Sequence, residues 1–207
     1  MLPGDYIAYR LSGRMSTSVS GLSEQILWDF EEERRADFVA GWYGIPQETI
    51  PEAGVSIGTE ARTDEAAERL LGIPAGTPIS YRAGDQPNNA FSLNVMEAGE
   101  VAATGGTSGV VYGVTDKRQA DPQSRVNTFV HVNHTASNPR YGILLCINGT
   151  GIMNSWIRRN VTQERLDYAE MNQLAASVPA GSEGVLVVPF GNGAERMLCN
   201  RCPRAGI

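Results

Sequence analysis

Histidine and cysteine are scarce, two and three among 207 residues, which leaves little material for metal or thiol chemistry. Cys199-Asn200-Arg201-Cys202 is a lone C-x-x-C, without the second pair a zinc site needs and without a redox-fold setting. On that spacing Cys199 and Cys202 read as free thiols, and no metal-ligand set is expected. His131 and His134 lie three apart in a β-prone run, where they would project from opposite faces of a strand. Basic residues are outnumbered, 17 against 23 acidic ones, for a formal charge of -6. That balance excludes the electrostatic footprint of a nucleic-acid or anionic-membrane binder. No apolar run approaches the roughly 20 residues of a membrane span. Residues 1–5 have neither the basic start nor the apolar core of a secretory signal. The chain therefore reads as cytoplasmic, and the sequons at Asn133, Asn148 and Asn160 carry no meaning without a secretory route.

What is present is a globular composition, 42% hydrophobic and 19% charged, long enough for one large domain or two small ones. Two chemical devices stand close together in residues 81–116. The first is Asp85, between Gly84 and the amide of Gln86, after a β-prone run over 77–82. A carboxylate at the end of a strand points away from the sheet edge and can accept a proton. The second is Gly105-Gly106-Thr107-Ser108-Gly109, between predicted strands over 100–104 and 110–114. Glycines without Cβ obstruction let backbone N–H groups converge on an anion, and the two hydroxyls add donors. A base beside an anion cradle points to phosphoryl transfer to a hydroxyl. The residues alone leave the alternatives of an ordinary turn and an ordinary hairpin open.

Gly84-Asp85-Gln86 followed by Gly105-Gly106-Thr107-Ser108-Gly109-Val110-Val111 resembles the paired motifs of the FGGY carbohydrate kinases, most closely the xylulokinases. Residues 2–13, Leu-Pro-Gly-Asp-Tyr-Ile-Ala-Tyr-Arg-Leu-Ser-Gly, resemble a segment that lies well inside that family's first domain. Val188-Pro189-Phe190 through Glu195-Arg196 is similar to a later kinase segment, with Ala194 inserted between Gly193 and Glu195. The resemblance implies an α/β fold, parts of two ribonuclease H-like domains of the actin and hexokinase superfamily flanking a cleft. Residues 1–96 would be the C-terminal part of the sugar-binding domain and 97–207 the N-terminal part of the nucleotide-binding domain. The substrates implied are ATP and a small-molecule sugar, with Mg²⁺ as cofactor. Asp85 would be the catalytic base and Gln86 a sugar ligand. Gly106, Thr107, Ser108 and Gly109 would face the phosphates, with Gly149 and Gly151 near the nucleotide.

The departures are informative. Xylulokinases commonly carry Asn after the Asp and glycerol kinases carry Gln, so Gln86 leaves another ketose or polyol open. Ser18 stands where many relatives have Asp. The Asp-x-Gly-Thr phosphate motif and the early sugar-contacting residues are missing, so the chain reads as an internal fragment that would not turn over by itself. A nucleotide- or sugar-binding module without catalysis is the other reading, and nothing indicates an oligomeric state.

The remaining elements follow from periodicity and caps. After a proline-containing cap, a short helix carrying Tyr6, Ile7, Tyr9 and Arg10 is predicted, ended by Gly13. Phe38, Val39 and Trp42 have helical spacing and read as core. The charges at 31–35 read as a solvated face. A short strand is expected at 55–58. A helix is expected over 64–71, with Ala66, Ala67, Leu70 and Leu71 on one side and Gly72 closing it. A helix beginning near Asn88 runs to Leu93. Strands are expected at 128–133, 141–147 and 185–189, and a helix over 166–178. Gly149-Thr150-Gly151 before Trp156 reads as a strand-to-helix turn whose free N–H groups suit a phosphate; a helix cap with Trp156 in the core is the alternative. Glu195 and Arg196 read as an ion pair holding a loop.

Overall fold

The computed structural model of the protein describes residues 2–190, 193–199, 201 and 206. The chain divides into two compact units. One comprises the residues up to Ala102 with Tyr112–Gln119 and Thr128–Ile143; the other comprises Ala103–Val111, Ala120–Asn127 and the chain from Leu144 onward.

The first unit opens with α1 (Pro3–Ser12), whose proline sits in the first turn, where its missing N–H costs nothing. Gly13, in the left-handed conformation at φ 67°, ends the helix as expected. Next come β1 (Ser16–Ser18) and α2 (Val19–Glu24), capped by the Ser18 hydroxyl on the N–H of Gly21. A two-residue ladder joins β2 (Trp28–Asp29) to β3 (Arg34–Arg35) before α3 (Asp37–Trp42). The strand β4 (Glu52–Gly54) then returns in parallel to β1, pairing Thr17 with Ala53.

The local core is Leu22, Ala40 and Ile50, with Leu27, Trp28 and Ala53 packed against it. Burying Leu22 alone stabilises by about 1.5–3 kcal/mol. Phe38 and Trp42, expected in the core, are 69% and 85% exposed. The helix is six residues long and turns Ala40 inward, and the residue before it, Ala36, is buried as well. At about 100° per residue, positions 38 and 42 then fall on the opposite side.

An antiparallel pair follows, β5 (Ile57–Arg62) and β6 (Pro78–Tyr81), with α4 (Glu65–Leu71) between them in sequence. Asp64 caps α4 through the N–H of Ala67, and Gly72 closes it. Only Ala67 of the expected apolar side is buried; Leu70 and Leu71 are 74% and 56% exposed. The helix α5 (Asp85–Ser92) starts four residues after β6 ends, earlier than the expected start near Asn88, and buries Pro87 and Ala90.

The four strands β7 (Val101–Gly105), β8 (Gly109–Thr115), β9 (Asn127–Val130) and β10 (Tyr141–Ile147) form a sheet in the order β7-β8-β10-β9. Three of them match expected strands closely, while β9 stops at Val130, three residues short of the expected end at Asn133, and the division between the units falls inside each of the four.

In the second unit, α6 (Gly151–Trp156) runs into a wider π turn at Ile157–Val161. Trp156 is half exposed, so the reading as a core tryptophan does not hold. Then comes α7 (Tyr168–Ala176), closed at its start by a reciprocal capping box between Asp167 and Glu170. The strand expected at 185–189 is reduced to an isolated bridge between Val188 and Gly206, and Leu186 is 79% exposed. The expected ion pair involves the side chain of Glu195, which lies outside the described residues; Arg196 donates to Oδ1 of Asn127. Cys202 also lies outside them, while the Cys199 thiol donates to Oε1 of Gln123 at 3.3 Å. Among the described residues, no helix is long and apolar enough to cross a membrane.

Candidate functional site

Asp85 does not stand at a strand end. The backbone leaves β6 at Tyr81, and Asp85 is the first residue of α5, with Gly84 as N-cap. The side chain is exposed, as proton acceptance from a substrate requires, and Gln86 follows half-buried. The first N–H groups of a helix have no partner within it. Here both are taken by one carboxylate from α2: Glu24 Oε2 accepts from Asp85 at 3.0 Å, and Oε1 from Gln86 at 3.1 Å. A Cβ on residue 84 would sit 1.9 Å from the Glu24 carboxyl carbon, so glycine there is what admits the carboxylate. Burial raises the pKa of Glu24 above the usual carboxylate range, and the nearby charge of Asp85 adds to the rise; the two amide bonds oppose it. One turn further along α5, the Tyr81 hydroxyl donates to Oδ1 of Asn88 at 2.8 Å, and the Tyr81 and Phe91 rings lie 5.0 Å apart. Burial pushes the Tyr81 phenol up to about 12.

The segment leading to Asp85 is anchored by Arg82, whose guanidinium donates to the Ser16 carbonyl at 2.8 Å and lies 3.7 Å from Oδ1 of Asp5. Oδ2 of Asp5 accepts the Thr17 hydroxyl at 2.7 Å. Both charged side chains are almost wholly buried, at 10% and 4% exposure, so each needs the other.

The second unit holds the other half of the predicted set. Gly106 and Thr107 are exposed in the β7–β8 connection, Ser108 is half-buried, and Gly109 opens β8, buried against the Thr150 side chain. The turn before α6 lies directly against this connection. Gly151 donates its N–H to the Gly106 carbonyl at 2.8 Å, and Ile152 donates to Thr107 at 3.3 Å. A Cβ at 151 would come within 2.4 Å of the Gly106 oxygen, so the approach requires glycine. The N–H of Gly149 donates to Ile147 at 2.9 Å. The amides of Gly149 and Gly151, expected to be free for a phosphate, are thus occupied; Gly151 holds the hydroxyl-bearing connection in shape.

The structure therefore gathers Asp85 and Gln86 in the first unit and Gly106, Thr107, Ser108, Gly109, Gly149 and Gly151 in the second. Sequence reasoning missed Glu24, Asp5 and Arg82. Their partners lie 61 to 77 positions away or on another element, and neither spacing nor periodicity signals such pairs.

No protein-family model matches the chain. The fold is nevertheless that of sugar kinases of the actin and hexokinase type. The xylulose kinase of Rhodospirillum rubrum superposes with a TM-score of 0.85 at 23% identity, over 98% of this chain and 40% of that one. The ligand-bound xylulose kinase of Lactobacillus acidophilus gives 0.81 at 20% identity, over 92% and 38%.

In sequence the chain is similar to kinases named for different substrates. The autoinducer-2 kinase of Klebsiella pneumoniae is 27% identical over 89% of this chain and 36% of its own length. The xylulose kinase of Haemophilus influenzae is 27% identical over 93% and 38%, and the glycerol kinase of Thermococcus kodakarensis is 29% identical over 89% and 35%. The chain spans little more than a third of the length of these relatives.

Proposed function

We propose that the chain is part of a cytoplasmic carbohydrate kinase that transfers the γ-phosphoryl group of ATP to a sugar hydroxyl, with D-xylulose as substrate and D-xylulose 5-phosphate as product. The observation that carries this reading is the exposed Asp85 at the head of α5, with its backbone fixed by Glu24. The kinase likenesses in fold and sequence support it. In this reading residues 1–96 belong to the sugar-binding domain and 97–207 to the nucleotide-binding domain. A junction there is supported by a tight turn, in which the Glu100 carboxylate accepts N–H groups from Met96 at 2.7 Å and Glu97 at 2.9 Å.

Asp85 takes the hydroxyl proton as the sugar oxygen attacks the γ-phosphorus, and the β,γ-bridging oxygen leaves with ADP. Gln86 hydrogen-bonds the sugar. Thr107 and Ser108, with the backbone of Gly106 and Gly109, face the β- and γ-phosphates, where donors fixed beforehand stabilise spreading charge. Gly149 and Gly151 keep the turn beside them close to the nucleotide.

Among the described residues no group of three His, Cys, Asp or Glu side chains gathers to hold a metal. The neutral hydroxyls of Thr107 and Ser108 are ligands that a Mg²⁺ ion bound with the nucleotide would accept, and the ion would supply neutralisation of phosphate charge there.

The test is ATP-dependent phosphorylation of D-xylulose, with glycerol and other ketoses in parallel, by the complete kinase and its Asp85→Asn variant. Loss of general-base assistance should lower kcat by roughly 10² to 10⁴ without lowering the melting temperature. Near-normal turnover by the variant overturns the assignment.

A further inference from the structure

We infer that Glu24 is a positioning residue for the phosphoryl-transfer base: its carboxylate, clamped on the N–H groups of residues 85 and 86, fixes the start of α5 and thereby the direction of the Asp85 side chain. The inference rests on the kinase reading above and goes beyond it, since Glu24 lies in none of the motifs that suggested kinase chemistry.

Three observations converge. Both carboxylate oxygens are used, one per amide, at 3.0 and 3.1 Å, a two-point grip that fixes orientation as well as distance. Position 84 is a glycine whose φ of -66° and ψ of 170° suit any residue, so backbone strain does not call for it. What calls for it is space, because any Cβ there would overlap the Glu24 carboxyl group. Glu24 is itself the last residue of α2, and the N–H of neighbouring Gln25 is tied back to the carbonyls of Gly21 and Ser23. The Ser23 hydroxyl accepts from the N–H of Val130 at 2.9 Å while donating to the Ser20 carbonyl at 2.8 Å, so the base of the clamp is anchored on both sides. A carboxylate could cap this helix from within, as Asp64 caps α4. Here the capping charge comes instead from a residue 61 positions earlier, which leaves the side chain of Asp85 exposed rather than consumed by its own backbone.

Two variants remove the clamp by different routes. Glu24→Ala deletes the carboxylate. Gly84→Ala keeps it and pushes it aside, at small cost to folding because the group displaced is the end of a flexible side chain. Both are measured in the complete kinase beside Asp85→Asn, with Glu24→Gln as the conservative replacement that retains one strong acceptor.

A displacement near 1 Å at a reacting group costs about a hundredfold in rate. Glu24→Ala and Gly84→Ala should therefore each lower kcat by about that factor. KM for ATP should stay within about twofold while KM for the sugar rises through the loosened Gln86, Glu24→Gln should fall between, and amide exchange at residues 85 and 86 should quicken in both variants. Wild-type kcat in Glu24→Ala and Gly84→Ala, while Asp85→Asn is silent, overturns the inference and leaves the kinase reading standing. So does a loss of kcat without any change in exchange at 85 and 86. Normal turnover by Asp85→Asn removes the kinase reading, whatever Glu24 does.

Discussion

The Tyr112 hydroxyl lies 3.0 Å from Nδ1 of His131, while Nε2 of the same ring lies 3.0 Å from the carbonyl oxygen of Val95. A carbonyl only accepts, so Nε2 carries the proton and Nδ1 receives the hydroxyl of Tyr112. This buried neutral imidazole ties β8, the end of β9 and the segment before the 96–100 turn into one network.

Acid stability follows from that tautomer. Burial lowers the pKa of His131, and of His134, below the ordinary value of 6.5. A base with a depressed folded pKa binds its proton more readily in the unfolded chain. Its contribution is therefore complete above about pH 6.5 and is lost as pH falls from there toward the lowered folded value. Urea midpoints should drop between pH 7.5 and pH 5.5, and a Tyr112→Phe variant, which strands Nδ1, should lose about 1–3 kcal/mol at neutral pH.

The buried pair of Arg82 and Asp5 should respond strongly to removal of one partner. Arg82→Met leaves the buried Asp5 carboxyl with the Thr17 hydroxyl but without its cationic partner, which should cost about 3–5 kcal/mol. The exposed pair of Arg69 and Glu65, at 71% and 85% exposure, serves as the contrast. Arg69→Ala should change stability by no more than about 0.5 kcal/mol in the same denaturant titration.

Gly151→Ala should be costly because its Cβ meets backbone, the Gly106 oxygen at 2.4 Å, rather than a movable side-chain tip. The expected loss is about 1–3 kcal/mol by thermal or urea unfolding, as for other overpacked sites. On the proposed kinase reading, the KM for ATP should rise with it. Gly41→Ala, in α3 with nothing near the new methyl, should instead stabilise by up to about 1 kcal/mol.

In the second unit, Asp167 accepts from the N–H of Glu170 at 2.8 Å, and the Glu170 carboxylate accepts from the N–H of Asp167 at 2.8 Å. Asp167→Ala should cost about 0.5–2 kcal/mol and lower the helical signal before the main transition.

Much of the candidate site was legible because it depends on local rules. The glycine-and-hydroxyl connection between β7 and β8, the strand at Tyr141–Ile147 and the Gly13 and Gly72 stops are written in neighbouring residues. Periodicity failed where elements are short. Six residues of α3 carry too few turns to say which side is buried, and Ala36 and Ala40 took the place expected of Phe38 and Trp42. The Asp85 helix was placed three residues late, because its N-terminal amides are satisfied by Glu24 and not by any nearby cap.

The amino-acid order by itself determined the types of most elements and the chemical character of the two motifs. Turn chemistry, caps and strand alternation act over a few residues and need no fold to be read. Only the tertiary structure decided which charge is buried beside which, that Glu24 grips the start of α5, and that the Gly151 amide is spent on Gly106 rather than left open. Those are contacts between residues 45 to 77 positions apart, and their energies exist only once the chain has closed on itself.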